Sequence, residues 1–235
     1  MEKKLGVGDT LRETFAIYRD QAGVLMPVAF VLFLLVAAIP ALIPAGFPYF
    51  VVPMIFSILV GTLYQGMVVR LVQDVRDGRR DNSVGALMRS VLPVLGPLVG
   101  AGILAGIGIG FGTVLLFVPG LYLTTIWAVI APVIVVEDRN VLESFGRSRQ
   151  LVRDHGWQVF TVVVLLVGLI NLLIGLAGHF LAIELADSLV VEIGSRAITS
   201  TITAPIEALV ASVVYFRLLE IKEQEPPPPM ASALE

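Results

Sequence analysis

The chain of 235 residues contains no cysteine, only 2 histidines, and charged side chains at just 15% of its positions. Without cysteine there is no disulfide framework, thiol nucleophile or cysteine metal site. Two histidines leave no recognisable metal cluster, and no Ser–His–Asp or paired-carboxylate arrangement stands out. No catalytic residue, cofactor or metal is therefore assigned. A soluble domain carries charge on about a quarter of its residues, so this shortage excludes a soluble enzyme, a nucleic-acid binder and a disordered chain.

In place of charge there are long apolar runs. Residues 21–69 and 91–136 hold no Asp, Glu, Lys or Arg, and the mean hydropathy is +0.90. A membrane helix needs about 20 apolar residues, so each run accommodates two crossings. The expected fold is an all-α, polytopic membrane bundle. It has six transmembrane helices in three hairpins, with short amphipathic helices at the interface. Spans are expected at 23–43, 50–71, 92–114, 119–136, 157–180 and 198–218. Residues 1–222 form one membrane domain. Residues 223–235 read as a disordered cytoplasmic tail, because Pro226 to Pro229 cannot continue a helix.

Between the spans, residues 7–20 predict a surface helix capped by Asp9 or Thr10, and Pro44, Ala45 and Gly46 begin an uncharged turn. Residues 83–90 form a second surface element. The clearest one is 140–154, where Val141, Leu142, Phe145 and Leu151 alternate at helical spacing with Arg147, Arg149 and Arg153. Asn140 and Glu143 there match a capping pair. Residues 181–197 are expected to be an external loop with a partly helical, surface-lying piece. The order surface helix, span, turn, span recurs at 7–71, 83–136 and 140–218, which either duplication or simple bundle packing explains.

Six spans place both termini on one side. If that side is cytoplasmic, 15 of the 16 basic residues lie inside and only Arg196 outside, as the basic bias of short inner loops requires. The expected location is a bacterial cytoplasmic (inner) membrane, with both termini inside.

Three groups of residues stand out. Glu207 lies within the sixth predicted span, where an acid marks a functional site by default, and Asn171 and His179 of the fifth span are its candidate partners. Pro205 suggests the alternative that the crossing starts near Ala204 and leaves Glu207 shallow. Gly102, Gly106 and Gly110 recur every fourth residue and form a candidate helix-packing strip, with Gly108 and Gly112 in a second register. These glycines lie in an apolar span without lysine and are not a phosphate loop. Arg147, Arg149 and Arg153 are candidate contacts for anionic lipid head groups. Expected partners are membrane lipids, with a protein partner or a second copy also open, and no nucleic acid.

One stretch is distinctive in combination. Val118, Pro119, Gly120, Leu121, Tyr122 and Leu123 are followed by Ala131, Pro132 and Val133 with Val136 and Glu137. Next come Ser144, Phe145, Gly146, Arg147, Ser148 and Leu151, and finally Tyr215, Phe216 and Arg217. This pattern resembles the membrane domain of bacterial glycerophosphoryl diester phosphodiesterases and related multi-pass proteins, although Phe216 stands where that family more often has a polar residue. The resemblance implies a six-helix membrane unit. In the fused enzymes catalysis belongs to a separate soluble barrel, and this chain has no segment for it, so no activity is carried over. The expected role is structural, scaffolding or accessory, with phospholipid as a possible ligand. The alternative is a small transporter or lipid-handling protein that uses Glu207.

Overall fold

A computed structural model of the protein describes residues 5–43, 47–79, 83–185 and 189–224. Among these residues every regular element is helical. Six segments are long and apolar enough to cross a bilayer: Val7–Leu42, Val51–Arg76, Val84–Leu115, Phe117–Glu137, Gly156–Gly178 and Val190–Gln224. The protein is an all-α, polytopic membrane bundle, as its charge-free runs predict. The turn at 44–46 and the proline run fall outside the described residues.

The elements are α1 (Val7–Ala38), α2 (Phe47–Arg76), α3 (Val84–Val91) and α4 (Leu95–Leu115). They continue with α5 (Phe117–Ile126), α6 (Ile130–Glu137), α7 (Val141–Val152), α8 (Gly156–Val159), α9 (Gly168–Leu185) and α10 (Leu189–Gln224). A π-helical segment, Phe160–Val167, joins α8 to α9. One expected cap is present. Asn140 Oδ1 accepts from Glu143 N at 3.0 Å, and the amphipathic helix it starts is α7.

Three boundaries differ from expectation. The surface helix at 7–20 and the first span are a single helix, α1, with Pro27 inside it. Burial of Ile17, Leu25 and Ala29 along one side of α1 holds it continuous through Gly23. Its N-cap is Gly6. Thr10 already lies in the helix and donates from Oγ1 to Gly6 O at 2.9 Å, while Asp9 sits in the first turn, where a negative charge suits the helix dipole. The expected external loop at 181–197 is almost entirely helical, because α9 extends to Leu185 and α10 begins at Leu189. Charges that read as loop are compatible with helix there: Arg196 pairs with Glu192 at 2.7 Å, one turn apart. Pro205 consequently lies inside α10 rather than in its first turn.

The fourth span is broken. Trp127 to Val129 separate α5 from α6, and Ser148 Oγ of α7 donates to the carbonyl of Ile126, left free at the end of α5, at 2.8 Å. This bond, with the edge-to-face contact of Trp127 and Phe145 at 4.8 Å, seats α7 against the break.

α10 is the centre of the packing, and α1 makes the most extensive contact with it. Leu209 and Val213 meet Val69, Val72 and Ile134 in one core cluster. Val210 and Val214 join Val129, Val133 and Leu151 in another. One end of the bundle is tied by ions. Arg76 Nη2 reaches Glu13 and its Nη1 reaches Glu220, each at 2.5 Å, and Arg217 Nε reaches Glu13 at 2.7 Å. The Arg76 guanidinium also lies 5.0 Å over the Phe216 ring. These pairs bring the ends of α1, α2 and α10 together, and we call this the basic end.

The glycines of α4 divide by register. A Cβ on Gly108 would lie 2.7 Å from the Trp127 ring, and one on Gly112 would lie 3.2 Å from Gly120 N. The packing within this chain therefore uses the second register. In the first register, a Cβ on Gly102 would only touch Thr62, and Gly106 and Gly110 have open space beside them.

Candidate functional site

The three arginines of α7 separate into different roles. Arg147 turns inward and donates from Nε to Glu137 Oε1 at 2.9 Å. Glu137 also accepts from Arg139 Nε at 2.6 Å and from Tyr215 Oη at 3.2 Å. Its bond to Arg139 raises that guanidinium above the ordinary arginine value. Asp138, in the left-handed region at φ 52°, makes the sharp turn between Glu137 and Arg139, a conformation that aspartate tolerates.

Arg149 and Arg153 turn the other way and line a cavity of about 950 Å³. Its walls are α5, with Val118, Leu121 and Tyr122, then α7 with Gly146, and finally Gly156, Trp157 and Phe160 at the start of the fifth span. Most of this surface is apolar; the charged groups in the lining are the two guanidiniums, beside Gln150. Local sequence explains each wall. The break after Ile126 stops α5 where α7 can cross it, and glycines at 146 and 156 keep the space open, since nothing lies within 4 Å of a Cβ at either position. Trp157, exposed and stacked on Phe160 at 5.3 Å, flanks the opening as an interfacial aromatic does.

The turn after α7 is fastened by Lys222 Nζ of α10, which lies 2.5 Å from Asp154 Oδ2. That hydrogen bond and the attraction of the ammonium hold the Asp154 carboxyl below its ordinary range. A smaller cavity of about 260 Å³ lies between α2 and α3. Arg79 faces Asp74 there at 3.8 Å, while Arg70 Nη1 donates to the neutral amide of Gln73 at 3.0 Å and its buried Nε has no hydrogen-bond partner among the described residues.

The second candidate site is a pair. Asn171 Nδ2 donates to Glu207 Oε1 at 2.6 Å across α9 and α10, on the side of the bundle. Glu207 lies 11 residues from Arg196 and 10 from Arg217 along one continuous helix. At about 1.5 Å per residue this places it roughly 15–17 Å along the helix from each of these two flanking arginines. His179 belongs to α9, but its side chain lies outside the described residues. Among the described residues no group of three or more His, Cys, Asp or Glu is placed to hold a metal ion.

Sequence reasoning selected the arginines but not the apolar wall facing them, nor the Glu137 cluster. The signal for the cluster was Glu137 ending a charge-free run, with arginines close behind it. No protein-family model, curated protein or solved structure matches this chain.

Proposed function

We propose that this chain is a non-enzymatic accessory protein of the bacterial inner membrane that holds a lipid-like amphiphile in the groove between α5, α7 and the start of the fifth span. In this reading the basic end is cytoplasmic and both termini lie there, as the distribution of Lys and Arg favours. The carrying observation is the groove itself: a large apolar cavity whose charged lining is two guanidiniums. Such a set binds an amphiphile by its chain and orients it by its head. The resemblance of 118–151 to the membrane domain of glycerophosphoryl diester phosphodiesterases accords with this reading, because the residues that carry it include groove walls at Val118, Leu121, Tyr122 and Gly146.

Gly146→Leu tests the reading. The new side chain starts in open space, replaces a poor helix former by a good one, and fills the groove. Native mass spectrometry after detergent exchange is expected to find retained lipid on the wild type and little on the variant, at unchanged thermal stability. Equal retention by both proteins counts against the reading.

A second reading, a small transporter, is favoured by the Asn171–Glu207 pair between the two helices. It expects Glu207→Gln to abolish ion-dependent fluxes in reconstituted vesicles without altering the fold. An unaffected flux removes it.

A further inference from the structure

We infer that the groove selects an anionic phospholipid, receiving the head-group phosphate between Arg149 and Arg153; this rests on the lipid-holding reading above. Arg149 lies in the last turn of α7, and Arg153, four residues on, is its C-cap residue with right-handed helical backbone. Residues at that spacing are neighbours on one helix face, with Cβ atoms about 5–6 Å apart, and like charges so placed destabilise a helix. The repulsion is removed when one anion bridges both groups, and guanidinium forks match phosphate oxygens in pairs. Arg147 shows the contrast. It sits on the same helix but is occupied by Glu137, whereas Arg149 and Arg153 form no ion pair among the described residues.

The lining also discriminates against a zwitterion. It contains no carboxylate, so the amine of a zwitterionic head group finds no counter-charge in the groove. The nearest acids in sequence are outside it: Glu143 lies in the first turn of α7, and Asp154 is held by Lys222. Gln150 adds an amide beside the arginines, suited to the hydroxyls of a glycerol head. Below the head group, Leu121, Tyr122 and Phe160 offer an apolar bed. The wall from Val118 to Ile126 runs for about 12 Å at 1.5 Å per residue. The cavity is at the upper end of the range of about 300–1,000 Å³ typical of ligand pockets, which suits a head group with the first part of its chains.

The test uses the full chain in bilayer discs of equal phosphatidylglycerol and phosphatidylethanolamine, gently released and weighed by native mass spectrometry. The wild type is expected to retain the anionic lipid about tenfold above its bilayer share. Arg149→Gln with Arg153→Gln should return the ratio to the bilayer value at unchanged thermal stability. Retention by the wild type at the bilayer ratio overturns the head-group assignment and leaves lipid holding intact. No retained lipid in either protein removes both. Inorganic phosphate at millimolar concentration is the remaining arm: if it displaces the anionic lipid, the arginines form a free-phosphate site and the phospholipid assignment falls.

Discussion

Arg147 and Glu137, ten residues apart, meet at 2.9 Å and fix the pose of α7. Because Tyr215 and Arg139 share the same carboxylate, one side chain joins α6, α7 and α10. Removing one partner of a fully buried charge pair costs about 3–5 kcal/mol, and this cluster is only partly buried. Glu137→Ala is expected near the lower end, since Arg139 can turn to solvent. Tyr215→Phe removes one hydrogen bond and should cost about 1 kcal/mol. Unfolding curves in mild detergent check both values, and equal costs for the two variants would deny Glu137 its central place.

The glycines of the α4–α5 hairpin predict opposite outcomes by position. A Cβ on Gly120 would fall 2.0 Å from Thr113 Oγ1 and 2.8 Å from its backbone N, so Gly120→Ala forces the helices apart. A loss of about 1–3 kcal/mol is expected. Gly106→Ala and Gly110→Ala meet open space and should be neutral, or stabilising by up to about 1 kcal/mol through helix propensity. A destabilised Gly106→Ala monomer would contradict the packing described above.

Asn171 and Glu207 form a single hydrogen bond across two membrane helices. Such bonds average about 0.6 kcal/mol in double-mutant cycles, with a maximum of about 1.7. The cycle of Asn171→Leu and Glu207→Leu should return a coupling in that range. A coupling near zero would mean that the two side chains are not paired in the bilayer.

Asp154 gives the bundle a pH dependence at its basic end. Its carboxyl titrates below the unfolded value because Lys222 holds it. The pair therefore stabilises the fold above the unfolded carboxylate pKa, and that contribution disappears as pH falls through the lower folded value. The side chain of Asp154 is half exposed, so the effect is that of a surface pair, about 0–1 kcal/mol. Unfolding of the wild type and Asp154→Asn should differ slightly at neutral pH and converge in strong acid. A difference that grows on acidification would reverse the sign argued here.

How far the sequence carried depended on the kind of signal. Absence of charge over 21–69 and 91–136 is cumulative, so the six apolar helices could be read from composition alone. Helix ends were harder, because Glu184, Glu192 and Arg196 look like loop residues until α9 and α10 are seen to continue through them. A four-residue glycine period identifies two possible faces but not which one meets a neighbour; Trp127 and Gly120 decide that from outside α4. The arginines of α7 were legible as a group, yet their division depends on Glu137 and on the break after Ile126. Neither the apolar wall of the groove nor the π-helical segment has a local motif.

That π-helical segment, Phe160–Val167, places the groove and the Asn171–Glu207 pair on the same crossing without obliging them to share a phase. A π turn holds a residue more than an α turn, and each residue of an α-helix advances the azimuth by about 100°. Deleting one residue within 160–167 would let the segment relax to an α-helix and keep the span. The shortened segment would complete the same turn with one residue fewer, so Phe160 and Asn171 would stay close to their present relative phase. The same deletion in a stretch that is already α-helical would turn one of them away by about 100°, so the π-helical segment is the part of this span where a one-residue length change leaves the groove and the polar pair in register.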